Sequence, residues 1–132
     1  MAAGSFDERF ASEAGGSTRW PTELRLNRAE RILTVSFDDG SRFDLPAEFL
    51  RVESPSAEVQ GHTPAQKQLV HGKRDVAITR IDPVGNYAVR LTFDDGHDSG
   101  IYSWTLLHRL GRERDGLWDA YLAALAARDL RR

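Results

Sequence analysis

Hydrophobic and polar residues alternate along two separate stretches of the chain, and each alternation ends at the same sequence, Phe-Asp-Asp-Gly. In the first stretch the apolar positions are Leu24, Leu26, Ile32, Val35 and Phe37. In the second stretch they are Tyr87, Val89, Leu91 and Phe93, which we expect on one face. Apolar residues at every second position are typical of a strand with one buried face, because successive side chains point to opposite faces.

The two Asp-Asp-Gly sequences predict tight turns, since Asp and Gly tolerate the positive φ values that a hairpin turn requires. The segments 33–50 and 89–107 share one order of elements: strand, turn, short second strand and short helix, at an offset of 56 residues. A further strand is predicted over residues 76–81, followed by a turn at 82–86. We therefore predict two similar hairpins in one antiparallel sheet.

Helix signals follow the first hairpin, the middle of the chain and the second hairpin. Pro46 suits the first turn of a short helix, because the missing N–H of proline costs nothing there. Thr63 and Pro64 predict the start of a second short helix that ends at Gly72. Ser103 predicts the N-cap of a third helix, and Gly111 predicts its end.

A final helix is predicted over residues 116–130. Its apolar residues form one stripe, as in an amphipathic helix, and they are Leu117, Trp118, Tyr121, Leu122 and Leu125. Residues 1–18 lack a sustained period and predict a flexible leader, with Phe6 and Phe10 as its candidates for docking. The sequence thus predicts an α+β fold: a single domain over residues 19–132, with a small antiparallel sheet built from two similar hairpins, short helices and the C-terminal amphipathic helix.

Composition narrows the function. A chain of 132 residues with net charge −2 and a pI near 6.1 lacks the basic balance of nucleic-acid binding proteins. The absence of cysteine excludes disulfides, thiolate nucleophiles and cysteine-based zinc or iron–sulfur ligation by this chain. No apolar run reaches the length of a membrane helix and the N-terminus has no signal core, so the expected location is cytoplasmic.

The second turn carries the densest candidate chemistry. His97, Asp98 and Ser99 are the side-chain types of a nucleophilic triad, but adjacent strand residues face opposite ways and cannot form one relay. We therefore predict that Asp94 to Gly96 form a turn and that His97 is exposed at its tip. If Tyr102 is buried, its hydroxyl needs a partner, for which a Ser or Asp of the neighbouring hairpin is a candidate.

A metal site is the alternative, and it would use histidines. His62 and His97 can converge with Glu58, Asp95 or Asp98, although their spacing does not require it. His71 is expected at a helix end, where a cation is favoured, and His108 at the edge of a helix. No His-x-Asp, His-x-Glu or His-Glu-x-x-His sequence supports a known metal motif.

Two segments resemble a known family. "LPAEFLRVESPSAEVQGH" and "VAITRIDPVGNYAVRLTFDDGHDSGIYSWTLLHRLG" are similar to the gamma-butyrobetaine hydroxylase-like N-terminal domain, and the similarity covers about Pro21 to Gly111. The resemblance implies a small α+β domain that occurs alone in bacteria. It also occurs in front of carnitine-pathway iron/2-oxoglutarate oxygenases and attached to ATP-dependent iron–sulfur carrier proteins. The oxygenase centre belongs to another domain, so the resemblance does not imply an enzyme.

In the hydroxylases the domain resembles a zinc module with ligands Cys-Pro-Cys-x-x-Cys and a later His. On this sequence the cysteine positions hold Ser54, Ser56 and Val59, and the histidine is His97. Serine and valine cannot replace thiolates, so no cofactor is expected. Iron or zinc bound by His62 and His97 is the alternative.

The leading expectation is a stand-alone accessory domain that binds a protein partner, such as an oxygenase or an iron–sulfur assembly component. No nucleic acid or membrane partner is expected. The sequence does not define an oligomeric state. The expected binding surface combines the loop 54–62, the second hairpin tip and Tyr102, and its residues are Ser54, Ser56, Glu58, His62, Asp95, His97, Asp98 and Tyr102.

Overall fold

The structure is a computed structural model and describes residues 20–132. The leader predicted over residues 1–18, with Phe6 and Phe10, lies outside the described residues. The described part of the chain contains two antiparallel sheets with three strands each. The first sheet comprises β1 (Pro21–Asn27), β2 (Ile32–Phe37) and β3 (Arg42–Pro46). The second comprises β4 (Ile78–Val84), β5 (Ala88–Phe93) and β6 (Gly100–Ser103).

Helices follow the last strand of each sheet. After β3 come α1 (Ala47–Val52) and α2 (Ala57–Gln60), and after β6 come α3 (Trp104–Arg112) and α4 (Arg114–Ala127). The predicted α+β class is confirmed, but the two hairpins lie in two separate sheets instead of one. None of the helices within residues 20–132 is long and apolar enough to cross a membrane.

The two hairpin turns have matching backbone geometry, as the repeated sequence predicts. Phe37 N–H donates to the carbonyl of Ser41 at 2.8 Å, and Phe93 N–H donates to the carbonyl of His97 at 2.9 Å. The glycine of each turn has a positive φ, 87° and 90°, which favours glycine over other residues. The Asp-Asp-Gly repeat is therefore an architectural element.

Each turn is contacted by the helix that follows the other hairpin. His108 of α3 places Nε2 3.0 Å from Oδ2 of Asp39 in the first turn. Arg51 of α1 donates through Nε to Oδ2 of Asp95 in the second turn, at 2.8 Å. These reciprocal helix–turn contacts join the two halves of the domain.

The core follows the alternation of the sequence. In β2 the buried residues are Leu33, Val35 and Phe37, and in β5 they include Val89, Leu91 and Phe93. They pack with the buried face of α3, formed by Trp104, Leu107 and Leu110. Tyr87, which was predicted on the β5 face, precedes the strand and is 50% exposed. Strand β4 begins at Ile78 and continues through Val84, beyond the predicted end.

The middle of the chain differs from the prediction. The helix expected from Thr63 to Gly72 is only a 3₁₀ turn at Pro64–Gln66, and the Thr63 side chain makes no cap hydrogen bond. The next residues are held by tertiary contacts instead: Gln68 N–H donates to the carbonyl of Val59, and the Tyr121 hydroxyl donates to that of Val70. Helix α2 was not predicted, although Ser56 caps it.

The C-terminal helix spans Arg114–Ala127 instead of 116–130. The cap at Ser103 is confirmed, since its Oγ accepts the N–H of Leu106 at 3.1 Å. Gly111 does not end α3, which continues to Arg112. A Cβ added at Gly111 would lie 2.2 Å from Cγ of Phe43, so the glycine allows the helix to approach the first sheet closely.

Candidate functional site

The loop after α1 meets the second hairpin turn in a hydrogen-bonded chain of three side chains. Ser54 Oγ lies 2.9 Å from His97 Nε2, and His97 Nδ1 lies 3.1 Å from Oε2 of Glu58. Because a carboxylate can only accept, Nδ1 carries the proton of the neutral ring, and Nε2 accepts from the Ser54 hydroxyl. We refer to these three residues as the Ser–His–Glu network.

A second pair of serines fixes the same loop to the same turn. Ser56 Oγ lies 2.7 Å from Ser99 Oγ, and it also accepts the N–H of Glu58 at the start of α2. The Ser56 N–H donates to Ser54 Oγ at 3.2 Å, while Gln60 Nε2 donates to the Ser54 carbonyl at 2.7 Å. Hydrogen bonds therefore determine the position of the loop along its length.

The Ser–His–Glu network has the order of contacts found in serine hydrolases, but its serine has no access to substrate. Ser54 is 0% exposed and His97 is 6% exposed, so the prediction of an exposed His97 is wrong. A nucleophile must reach both a substrate carbonyl and an oxyanion site. Gly100 closes the site further, since a Cβ there would lie 2.6 Å from Ser54 Oγ. In this conformation the network holds the loop against the turn, and the Ser54 hydroxyl is closed off from solvent.

Two cations converge on the acidic residue of the turn. Arg51 Nε lies 2.8 Å and Lys73 Nζ 2.7 Å from Oδ2 of Asp95. Burial alone would raise the pKa of the Asp95 carboxyl. Hydrogen bonds from Lys73, from the backbone N–H of His97 and from Arg51 outweigh burial and hold that pKa well below its ordinary value. Asp95 is therefore an anchor for the turn.

Burial is also the largest influence on the pKa values of His97 and Tyr102. Burial lowers the pKa of His97 below its ordinary value, and the nearby Arg51 cation lowers it further, against the opposing effect of Glu58. Burial raises the pKa of Tyr102. The Tyr102 hydroxyl donates to the carbonyl of Leu50 at 2.5 Å, and a hydrogen bond with the Ser54 side chain opposes the rise in the Tyr102 pKa.

The other predicted site residues lie apart from the network. His62 and Asp98 are exposed, and the recorded contact of His62 is a hydrogen bond from its N–H to Oε1 of Gln66. His71 is exposed in a loop, so its predicted place at a helix end is wrong. His108 is buried between Phe rings instead of lying at a helix edge. Within residues 20–132, no three His, Cys, Asp or Glu side chains are grouped closely enough to hold a metal ion.

The positions that correspond to the zinc ligands of the hydroxylases do come together, but their chemistry does not fit zinc. Ser54, Ser56 and His97 meet at hydrogen-bond distances, and Val59 is buried beside them. Zinc requires charged sulfur, imidazole or carboxylate ligands. Three of the four positions hold neutral hydroxyls or an apolar side chain, and only His97 provides an imidazole. Both nitrogens of that imidazole are already hydrogen-bonded.

Three solved structures are similar to this chain over most of their own length. Two proteins solved in solution by NMR share 46% and 50% sequence identity with it. The first covers 88% of this chain and 91% of its own, with a TM-score of 0.78. The second covers 89% and 88%, with a TM-score of 0.77.

The third is a crystal structure of a protein of unknown function from Acidithiobacillus ferrooxidans ATCC 23270, which belongs to the DUF971 family. It is 41% identical, covers 69% of this chain and 91% of its own, and has a TM-score of 0.59. No curated protein matches the chain. The family described as gamma-butyrobetaine hydroxylase-like, N-terminal, matches residues 24–108, which include both hairpins and the Ser–His–Glu network. The chain therefore belongs to the gamma-butyrobetaine hydroxylase-like N-terminal domain family.

Proposed function

We propose that the protein is a non-catalytic accessory domain that binds a partner protein through the surface above the Ser–His–Glu network. The family resemblance suggests an oxygenase or an iron–sulfur assembly component as the partner. In related proteins the resemblance places this kind of domain beside an oxygenase or an iron–sulfur carrier module. We extend that accessory role to this chain. It assigns no reaction to the chain itself.

The closed state of the network is the observation that supports this proposal. Ser54 is fully buried, and its hydroxyl and the two His97 nitrogens are occupied by neighbouring side chains. Such a network holds a loop in one conformation, and a rigid loop loses less entropy on binding than a mobile one. The geometry therefore favours recognition by a preformed surface over turnover of a substrate.

The contact surface consists of exposed residues that the buried ones support. Ser54, Ser56, His97 and Tyr102 are buried and lie beneath it. The Glu58 side chain is 69% exposed, and His62 and Asp98 are exposed beside the loop and the turn. We place the interaction on this second group.

The double variant His62→Ala/Asp98→Lys is expected to lose the partner while remaining folded. Neither side chain belongs to the buried network, so the melting temperature should change little, because exposed substitutions have small effects on stability. Affinity purification from the native organism, quantified by mass spectrometry, should recover one stoichiometric partner with the wild type. Recovery with the variant should fall at least about tenfold, which corresponds to about 1.4 kcal/mol of binding free energy.

The matched control is His71→Ala/Asp119→Lys, which makes the same chemical changes at two exposed positions that are not among the residues of the contact surface. It should recover the partner as the wild type does. Equal recovery with both double variants would remove the surface from the proposal. If the wild type recovered no stoichiometric partner, the accessory role itself would fall.

Divalent metal binding by His62 and His97 stays a prediction, and the observed hydrogen bonds oppose it. Metal coordination would have to displace Ser54 or Glu58 from the His97 ring. A ligand selective for the folded state raises the melting temperature. We expect no rise when Zn²⁺ or Fe²⁺ is added in tenfold excess to the untagged protein. A rise in the wild type that His97→Ala and His62→Ala each abolish would establish the metal site.

A further inference from the structure

Strand β6 is an edge strand of the second sheet, and its outer side is unpaired among residues 20–132. The two sheets have four edge strands, β1, β3, β4 and β6. Natural proteins guard such edges with charged residues or proline, because unpaired backbone groups attract other strands. Three of the four edges carry these guards, which are Pro21, Glu23 and Arg25 in β1, Arg42, Asp44 and Pro46 in β3, and Arg80, Asp82 and Pro83 in β4. Strand β6 reads Gly-Ile-Tyr-Ser and carries neither a charge nor a proline.

The outward-facing backbone groups of β6 follow from its register. Trp104 N–H donates to the carbonyl of Tyr87 at 3.1 Å, which makes these two residues a hydrogen-bonded pair. In an antiparallel ladder such pairs alternate with non-bonded ones. Ile101, which is opposite Arg90, therefore turns its N–H and C=O away from β5. The N–H of Ser103 also points away, and none of the described residues bonds to these three groups.

The corresponding edge in the first sheet is capped. There the hydrogen-bonded pair is Ala47 and Arg31. The backbone N–H and C=O of Asp44 in β3 therefore face outward, as those of Ile101 do in β6. The Asp44 carbonyl accepts a hydrogen bond from Nη1 of Arg114 at 2.7 Å. No described residue plays the part of Arg114 at β6, and the Ile101 residue is 46% exposed. Among residues 20–132, therefore, the edge of β3 is capped and the matching edge of β6 is not.

The charges around β6 indicate what can occupy the edge. Asp98 and Glu58 are exposed near its N-terminal end, and no Lys or Arg of the described residues lies within ion-pair distance of either. An occupant with a Lys or Arg at that end and an apolar residue beside Ile101 complements the edge. A second copy offers no such cation from its own β6, since the chain has no Lys or Arg between Arg90 and Arg109. The other edge strands of the described residues carry prolines or charges that oppose strand pairing, so we take the occupant to be a segment of another protein.

We propose that the partner docks by adding an extended strand to β6, using an apolar residue flanked by Lys or Arg. This inference rests on the proposed function, because it specifies how the partner is bound. Backbone hydrogen bonds to Ile101 and Ser103 would supply the binding, as in other cases of strand addition. The side chains beside Ile101 and Asp98 would supply the specificity.

The direct test is a titration of the ¹⁵N-labelled full chain with an acetylated synthetic peptide, Lys-Thr-Val-Thr-Val-Thr-Lys-Gly. Saturable amide shifts should centre on Ile101 and Ser103, and hydrogen exchange of the Ile101 amide should slow at least about tenfold. Ile101→Lys should abolish both effects, because a charge guards the edge, whereas Ile101→Val should retain them. Both variants are checked for an unchanged fold by their remaining amide shifts.

A peptide N-methylated at its valines lacks the backbone donors and should not bind, which keeps the test valid even if Ile101→Lys misfolds. Absence of shifts, shifts centred elsewhere, or equal binding of the methylated peptide would overturn the proposal. A dimer of the wild type that Ile101→Lys dissociates would also overturn it, because the occupant would then be a second copy.

Photo-crosslinking separates this inference from the proposed function. p-Benzoylphenylalanine is placed at position 101 or at position 62 of the full chain in the native organism. A partner cross-linked from position 101, and competed away by the synthetic peptide, supports strand addition. A partner cross-linked from position 62 but not from 101 leaves the proposed function intact and ends the strand-addition proposal. Cross-links from neither position count against both.

Discussion

Replacing His97 by alanine is expected to lower the free energy of unfolding by about 2–4 kcal/mol. The ring is buried against Phe93, with 6.1 Å between the ring centroids, so its removal leaves a cavity. The Ser54 hydroxyl would also lose the acceptor for its proton in a fully buried position. Chemical denaturation followed by circular dichroism measures the change.

The matched control is Ser41→Ala, which alters the residue at the position of His97 in the first turn. The hydrogen bonds of Ser41 lie at a partly exposed turn. The free energy of unfolding should therefore fall by less than about 1 kcal/mol. A His97→Ala variant within about 0.5 kcal/mol of the wild type would show that the network does not hold the fold. The same experiment reports on the role of pH.

The difference in stability between the wild type and His97→Ala should depend on pH. Because the pKa of folded His97 lies below the ordinary value of 6.5, the unfolded chain binds the proton more readily. The stabilising effect of the neutral ring is therefore fully present above about pH 6.5 and declines as the pH falls toward the lowered pKa. A difference that is constant between pH 7.5 and pH 5 would contradict the neutral, hydrogen-bonded ring.

Gly111→Ala is expected to destabilise the protein by about 2–3 kcal/mol, since forcing an added carbon atom into a closely packed contact costs this much. The new Cβ would lie between 2.2 and 2.7 Å from three ring atoms of Phe43. That ring packs edge-on against His108 and Phe37, so it has little room to move. Thermal unfolding should show the loss as a lower melting temperature.

Gly116→Ala is the matched control, because Gly116 is also in a helix but a Cβ there meets nothing within 4 Å. This variant should be more stable than the wild type by about 0.5–1 kcal/mol, since alanine loses less backbone entropy in a helix than glycine does. The same substitution should thus have opposite signs at the two positions. Equal effects would mean that Phe43 does not confine Gly111.

The hairpins were predictable because their information is local. The alternation of apolar residues determines which face of β2 and β5 is buried. The Asp-Gly sequences determine where the chain turns between strands. The number of sheets was not predictable in this way, because nothing within either hairpin specifies whether it pairs with the other. The helix predicted over residues 63–72 failed for the same reason: its cap signals are local, whereas Gln68 and Val70 are held by hydrogen bonds with Val59 and Tyr121.

For the candidate site, the sequence indicated that three residues lie close together but not which hydrogen bonds join them. The family resemblance brought Ser54, Ser56 and His97 together, and the structure places them at hydrogen-bond distances. The links from Arg51 and Lys73 to Asp95 join residues that are distant in sequence, and no motif marks such pairs. Burial of His97 was missed because a histidine beside a turn glycine is usually read as solvent-facing.

The reciprocal contacts between helices and turns have a consequence for how the domain can be divided. Asp39 finds its partner in the second half of the chain, and Asp95 finds Arg51 in the first. Cleavage between the halves would leave each turn without its helix contact and each helix without the turn that it contacts. We therefore expect the two halves to fold cooperatively. An isolated hairpin–helix fragment could form the same contacts only by exchanging helices with a second copy of itself.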